Sequence, residues 1–237
     1  MTQGGVFAHP FGYWVGMNTD PRTTPEALAE FNHFYDATHV HEVIAAHPGF
    51  VSVDRYELVE SDAPGGEPTA PRWLAVYAMA DESAALQYLK DDARPWLHRR
   101  KYSPWPAARR RAKTVWRMLW RQIWAAGAGG AATQSIFVVG MRVPTDDPEA
   151  LTEFNTFYDR THAPEVMAQG GYTRATRFEL YRAFAPPGPE CARFCAVYEA
   201  AELRGRPALA GLSPGPSVWD SREVSWRLVY RRLPRPE

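Results

Sequence analysis

Alternation of large apolar residues with small or polar ones marks the first regular element of the chain. It runs from Phe11 to Asn18 with a period of two and several aromatic rings, a pattern typical of a β-strand. Thr24, Pro25 and Glu26 then supply a capping hydroxyl, a first-turn proline and an early acid, which predict a helix start. Apolar residues at helical spacing continue to about His39, where we expect the helix to end with His39 on its buried side.

Three further strands and a second helix are predicted in the first half of the chain. Residues 50–59, 73–79 and 114–121 are rich in β-branched and aromatic side chains, as strands are. Asp81-Glu82-Ser83 provides a start signal for a helix that should end near Leu89. The predicted order of elements is therefore βαββαβ.

The same pattern recurs in the second half, which indicates an internal duplication. The segment FNHFYDATHVHEV over residues 31–43 returns as FNTFYDRTHAPEV over residues 154–166. The spacing between matching positions falls from 123 at this segment to 110 at the last strand, so the insertions lie in loops. We predict a first repeat over residues 1–124, a Gly/Ala linker over 125–133 and a second repeat over 134–237.

The order βαββαβ also predicts how the two repeats meet. Such a unit forms a four-stranded antiparallel sheet with both helices on one face, the ferredoxin-like arrangement. The helix-free faces carry apolar side chains, whose exposure is unfavourable by about 25 cal/mol per Å². Two sheets that face each other bury these surfaces in a barrel with room for a small ligand. We therefore predict an α+β fold in which two fused ferredoxin-like repeats form one barrel.

The duplicated segment, with Pro164 two residues after the second histidine, resembles the motif of the EthD-like branch of the dimeric α+β barrel superfamily. The resemblance implies that the two subunits of the usual dimer are fused here into a dimeric α+β barrel within one chain. It also implies that His39 and His162 are the histidines of the family motif. In the first repeat His41 replaces the proline, so we expect the backbone after His39 to differ between the repeats. Members of the superfamily include cofactor-free cyclases, isomerases, dehydratases, decarboxylases and monooxygenases, and also haem enzymes.

Composition and charge narrow the classes of partner. The 237 residues are 45% apolar and carry 27 basic and 27 acidic side chains, so no net field draws nucleic acid or a membrane surface to the protein. Residues 1–15 lack the pattern of a secretory signal, and no apolar run reaches the length of a membrane span. We expect a soluble, cytoplasmic protein with a small-molecule substrate. It is a pseudo-dimer within one chain, and a further homodimer through edge strands is an open alternative.

His39 and His162 are the candidate acid/base residues, because imidazole titrates near neutral pH and both takes and gives a proton. Tyr35 and Tyr158 lie one helical turn earlier and are the other candidate catalytic residues. An acid three residues before or after each histidine is expected to fix its tautomer. The alternative is structural, with each histidine bonding a carbonyl group at the end of a helix.

Arginine and aromatic residues on the predicted strands are candidates for binding the substrate. Arg55 and Arg177 each stand two residues before a glutamate and could orient an anionic oxygen inside the barrel. An ion pair at the barrel rim is the alternative for both arginines. The aromatic candidates could line a cavity and stack on a planar substrate, although core packing explains them equally well; they are Trp14, Trp73, Tyr77, Trp116 and Trp120.

Two other features of the first half allow a site but favour a simpler explanation. His33 and His41 lie away from the apolar face of the helix and lack the spacing of metal ligands, so no metal site is predicted. The segment 94–111 is basic and interleaved with aromatic residues. A solvated helix and loop explains it best, and an anion-binding lid is the alternative.

These patterns together predict a cofactor-independent enzyme that uses histidine acid/base chemistry in the barrel cavity. The reaction would be of the lyase or isomerase type, by cyclisation, dehydration, isomerisation or decarboxylation, on an aromatic or polyketide-like substrate. A haem- or oxygen-using oxidoreductase is the first alternative, since a haem pocket needs just one histidine. A non-catalytic protein that binds a small molecule is the second.

Overall fold

Eight antiparallel strands form a closed barrel in the computed structural model, which describes residues 5–62, 70–93, 102–107, 109, 112–128, 133–185 and 191–234. The order around the barrel is β1-β3-β2-β8-β5-β7-β6-β4. Pairing of β2 with β8 and of β4 with β6 joins the two repeats, and this confirms the predicted fold. The strands are β1 Phe11–Thr19, β2 Phe50–Asp62, β3 Trp73–Met79, β4 Ala112–Gly127, β5 Ser135–Arg142, β6 Arg174–Ala185, β7 Phe194–Ala200 and β8 Glu223–Arg232.

Helices cover the outer face of the barrel and start where the sequence places capping residues. Helix α1 has Thr24 as its N-cap, and the Ala27 N–H donates to the Thr24 hydroxyl at 3.3 Å. Asp81 and Asp147 cap α3 and α4 in the same way. None of the helices in the described ranges is long and apolar enough to span a membrane. The helices are α1 Pro25–Phe34, α2 Val40–Ala46, α3 Glu82–Asp92, α4 Pro148–Phe157, α5 Ala163–Gly170 and α6 Ser217–Asp220.

Side chains from all eight strands fill the barrel interior, where the sequence analysis expected a ligand cavity. The Trp14 and Trp120 rings lie 5.6 Å apart, and the Trp116 and Trp226 rings lie 4.9 Å apart. Gly140 leaves room for one of these rings, since a Cβ there would come within 2.4 Å of Trp226. The tryptophans inside the barrel are therefore packed against one another as a core.

Strand β4 is longer than the sequence pattern indicated, and this corrects the predicted linker. Ala125 pairs with Thr176 and Gly127 with Arg174, so the strand runs three residues into the range 125–133. Small residues such as alanine and glycine can continue a strand when a neighbouring strand, here β6, accepts their backbone hydrogen bonds. The described connection between the repeats is thus shorter than expected, and residues 129–132 lie outside the described ranges.

The second repeat keeps the predicted βαββαβ order, but its last helix is much shorter than the matching helix of the first repeat. In the first repeat α3 covers the sheet between β3 and β4, but residues 201–216 between β7 and β8 form no helix. Only the four-residue α6 follows them. Proline and glycine explain the difference, because proline removes a helical hydrogen bond and glycine disfavours helix; the segment contains Gly205, Pro207, Gly211, Pro214, Gly215 and Pro216.

Candidate functional site

A π-helical turn carries each candidate histidine. Helix α1 does not end at His39 as predicted but continues through a π-helical turn over Tyr35–His39 into α2. The Val40 N–H donates to the Tyr35 carbonyl, five residues back. The second repeat does the same over Tyr158–His162. Such turns inside α-helices occur frequently at functional sites.

The backbone at the two histidines is nearly the same, so the expected difference after His39 is absent. His39 has φ −64° and ψ −43°, and His162 has φ −64° and ψ −50°. Proline at position 164 lies in the first turn of α5, where a missing N–H is tolerated. His41 at the matching position of α2 is exposed, as is His33 on α1. The described residues contain no group of three or more His, Cys, Asp or Glu side chains placed to hold a metal ion.

Arg177 fastens the π-helical turn of the second repeat to the sheet. Its guanidinium donates to the Asp159 carboxylate at 2.5 Å and to the Asn155 side-chain oxygen at 2.7 Å. The same group lies over the Tyr158 ring, 4.1 Å from its centroid. Arg177 is only 1% exposed, so its charge is compensated by these neighbours rather than by water. The contacts assign it a structural role.

Arg55 does the same in the first repeat. It donates to Asp36 at 2.7 Å and to Asn32 at 2.8 Å, and it lies 4.1 Å from the centroid of the Tyr35 ring. The rim ion pair considered for Arg55 does not form with Glu57, which pairs instead with arginines at the sheet surface. Neither arginine belongs to the barrel interior; Arg55 instead lines a cavity of about 260 Å³ between α2 and β2.

Trp219 covers His162 on the outer face of the second sheet. The two ring centroids are 4.4 Å apart, and Trp219 also stacks on Phe154 at 5.6 Å and meets Tyr158 edge to face at 5.6 Å. The Ser213 N–H donates to the Glu165 carboxylate at 3.0 Å and holds the loop before Trp219 against α5. Trp219 was not a sequence candidate.

The first repeat contains the same cap, with Trp105 over His39 at 4.4 Å and Ser103 bonded to Glu42 at 2.9 Å. A repeated pattern in the sequence could have indicated the two serines. The pair Ser103-Pro104 returns as Ser213-Pro214 at the spacing of 110 that relates the last strands. Of the segment 94–111, considered above as a lid, residues 94–101, 108, 110 and 111 lie outside the described residues.

Burial keeps the His162 imidazole neutral. Loss of water lowers its pKa to about 4, and Arg222 adds to this effect. The acids expected to fix its tautomer are engaged elsewhere, Asp159 with Arg177 and Glu165 with Ser213. No other described residue hydrogen-bonds the His162 ring. The imidazole is therefore available to a bound molecule.

A cavity of about 220 Å³ opens beside His162 between the outer face of the second sheet and its covering loop. Tyr158 and His162 line it, as does Tyr198, whose hydroxyl donates to that of Tyr158 at 3.3 Å. Burial raises the pKa of both phenols, so both keep their protons. The other lining residues are Phe137, Val139, Met141, Val166, Leu209, Leu212, Trp219, Arg222, Val224 and Arg227.

Among the residues that the structure describes, two cationic side chains line this cavity and no carboxylate does. The Arg222 guanidinium lies 3.7 Å from the centroid of the Trp219 ring and donates to the Trp219 carbonyl at 2.6 Å. Burial lowers the pKa of Arg222, and the nearby Arg227 lowers it further. The cavity is therefore apolar along the sheet and positive at one side.

The other predicted binding residues lie elsewhere. Trp14, Trp116 and Trp120 belong to the barrel core, with no hydrogen-bond partner for their indole N–H groups among the described residues. Trp73 and Tyr77 are buried on the outer face of the first sheet. Tyr77 is the counterpart of Tyr198, since it pairs with Tyr13 as Tyr198 pairs with Phe137.

Near His39, the first repeat has a more polar arrangement. The His39 ring lies 5.1 Å from that of Tyr35 and 5.5 Å from that of Tyr102. The Tyr102 hydroxyl is within 2.9 Å of the His47 Nε2. Burial lowers the pKa of His39 to about 4 as well. Burial thus lowers the pKa of both histidines to about 4, while some of the residues around them differ.

Comparison with known proteins shows the fold. No protein-family model and no curated protein matches the chain. A point mutant of chlorite dismutase from Candidatus Nitrospira defluvii is similar in structure, with 12% identity and a TM-score of 0.52 over 94% of this chain and 91% of that one. The same enzyme in complex with imidazole gives 13% identity and a TM-score of 0.50 over the same shares. An anthrone oxidase-like protein gives 12% identity and a TM-score of 0.48 over 98% of this chain and 96% of that one.

Proposed function

We propose that this dimeric α+β barrel protein is a cofactor-independent enzyme of the lyase or isomerase type, with its active site in the cavity beside His162. The sequence alone left the choice between His39 and His162 open. The observation that carries the proposal is a neutral imidazole without a hydrogen-bond partner among the described residues, at an apolar cavity that also holds two arginines. Perturbed histidines in such cavities are candidates for acid/base catalysis.

The proposed chemistry is proton transfer. His162 takes a proton from a carbon next to a carbonyl group, and the electron pair remains on the substrate as an enolate. Arg222 and Arg227 stabilise the negative oxygen, because a charged guanidinium is a strong hydrogen-bond donor to an oxyanion. Return of the proton to another carbon completes an isomerisation. Loss of hydroxide as water, with that proton, completes a dehydration.

The pKa of His162 is low in the free protein, and a bound substrate should raise it into the range that this chemistry needs. A general base works best when its pKa lies near the working pH. A negative group bound against the arginines would raise the pKa of the imidazole, since an opposite charge within about 4–6 Å shifts a pKa by roughly 1–3 units. The substrate thus brings the base towards its effective range.

The cavity volume narrows the substrate class. An apolar cavity of about 150 Å³ takes up benzene, so 220 Å³ accommodates one ring with a small substituent. The fused rings of a large polyketide exceed this volume. We therefore favour a single-ring or similarly small substrate.

Haem is the cofactor alternative, and the residues here do not fit it. Pockets for drug-sized ligands measure about 300–1,000 Å³, above the 220 Å³ beside His162. The Trp219 ring also lies 4.4 Å from the imidazole, where a macrocycle would have to enter. Addition of haemin to the purified protein should give the spectrum of free haemin. A red-shifted Soret band that is lost in His162→Gln would support the oxidoreductase alternative.

Exchange of carbon-bound hydrogen for deuterium in compounds bound to the protein tests the proposed proton transfer. Small cyclic keto acids that bind the protein are incubated with it in D₂O, and NMR follows incorporation of deuterium at carbon. His162→Gln should slow the incorporation by about 10²- to 10⁴-fold, whereas the matched variant His39→Gln should leave it nearly unchanged. A bound compound that exchanges no faster than in buffer would refute the enzyme and favour a binding protein.

A further inference from the structure

We infer that the cavity beside His162 takes a planar monoanion of one ring, such as a small aromatic carboxylate, with its acid group on Arg227. The inference rests on the proposed function only for the use of this cavity. The fold and His162 do not define the class of substrate, and this inference does.

The two repeats place one arginine each at the same point of the sheet. Arg117 on β4 is paired with Val15, and Arg227 on β8 is paired with Val139 at the matching position of β5. Both arginines therefore lie on the outer face at the same distance along the strand. Their surroundings can be compared directly.

In the first repeat the protein itself supplies what Arg117 binds. Its guanidinium donates to the Tyr13 hydroxyl at 2.9 Å, to the Tyr88 hydroxyl at 3.3 Å and to the Asp92 carboxylate. Tyr88 and Asp92 lie one turn apart on α3, and the Tyr88 ring packs on Tyr13 with centroids 4.5 Å apart. An aromatic ring and a carboxylate thus occupy the space in front of Arg117.

Neither group is found in front of Arg227 among the described residues of the second repeat. Residues 201–216 replace α3 and form no helix there, and Phe137 at the position of Tyr13 has no hydroxyl. Among the described residues, the acid nearest to Arg227 is Asp62 at 3.6 Å, which is paired more closely with Arg206 at 2.6 Å. A ligand that carries both a ring and a carboxylate would replace Tyr88 and Asp92 together.

The charges around the cavity favour an anion. Arg222 and Arg227 line it, His162 is neutral, and the described part of the lining includes no acid. Glu165 on α5 faces Ser213, and Arg177 is neutralised by Asp159. Two positive charges in a partly desolvated cavity bind one negative group more strongly than a neutral one of the same shape.

The apolar side of the cavity favours a flat ring. Phe137, Val139 and Met141 on β5 form its floor, and Trp219 forms one wall. A ring between such side chains buries its faces, while Arg227 receives the acid group at its edge. Aromatic carboxylates combine both features at the available volume.

Benzoate and its neutral isostere benzamide test the inference, with binding measured by titration calorimetry. Benzoate should bind the wild type and benzamide should bind at least tenfold more weakly. Arg227→Gln should weaken benzoate binding by roughly 10- to 100-fold and leave benzamide nearly unchanged. The control Arg121→Gln removes an exposed charge that pairs with Glu179 outside the cavity, and it should bind benzoate like the wild type.

The outcomes separate this inference from the proposed function. His162→Gln should still bind benzoate, because its role is proton transfer. Equal affinity for benzoate and benzamide, or unchanged benzoate binding by a folded Arg227→Gln protein, overturns the inference even if His162-dependent exchange is found. Benzoate binding that depends on Arg227, without exchange of any bound keto acid, supports the inference and refutes the enzyme.

Discussion

Replacement of Arg177 by methionine tests the structural role assigned to this buried arginine. Its side chain is 1% exposed and holds Asp159, whose own side chain is 21% exposed. Removal of one partner of a buried pair costs about 3–5 kcal/mol, since the other charge stays without compensation. Partial exposure of Asp159 allows some hydration, so we expect about 3 kcal/mol. That is a large part of the roughly 5–15 kcal/mol by which proteins of this kind are stable.

Urea unfolding measures this loss, with an unchanged m-value as the sign that the unfolding transition is the same. The double variant Arg177→Met with Asp159→Asn should recover more than half of the lost free energy, because the unpaired charge is gone. Arg55→Met, the matched change in the first repeat, should behave alike. A loss below about 1 kcal/mol for Arg177→Met, with benzoate binding abolished, would refute the structural role and indicate a ligand contact.

Three further outcomes follow from the site. Both half-buried histidines have a pKa of about 4 against 6.5 in the unfolded chain, so protons favour unfolding. The free energy of unfolding should decrease as the pH is lowered from about 6.5 to 4, by up to roughly 3 kcal/mol for each histidine. Urea midpoints measured across this pH range should show about half of this decrease in His162→Gln. Leu212→Tyr introduces the ring that Tyr102 has in the first repeat; it should abolish benzoate binding by calorimetry with little change in melting temperature. Glu165→Ala should speed amide hydrogen exchange in residues 205–212 but not in the barrel strands, because it removes the carboxylate to which the Ser213 N–H donates.

Most of the fold follows from the sequence because the duplication makes each pattern visible twice. Strand alternation and the Thr24 and Asp81 caps are local signals, and they place β1 and the starts of α1 and α3 correctly. The closed barrel follows from the apolar faces that two ferredoxin-like sheets leave uncovered. The end of β4 depends on pairing across the repeats, and the short last helix of the second repeat depends on a proline-rich segment; local alternation reveals neither.

The candidate site was only partly predictable. His162 and Tyr158 lie in the cavity as a duplicated motif suggests, but the π-helical turn that carries them has no composition signal of its own. Tryptophan content alone does not distinguish a packed barrel core from a ligand pocket, and Trp14 belongs to the core. Arg227 escaped notice because its counterpart Arg117 has the same neighbours in sequence. The two differ through α3, an element more than twenty residues away in the chain.

NMR titration of the His162 ring tests the central claim most directly, with His162→Gln used to assign its resonance. We expect an apparent pKa of about 4 in the free protein and a rise of about one unit or more when benzoate is bound. His162 and Arg227 line the same cavity, so benzoate bound there should bring its charge towards the imidazole, and the protein should take up protons as it binds. A pKa near 6.5 that benzoate leaves unchanged would contradict a buried imidazole at an anion-binding cavity.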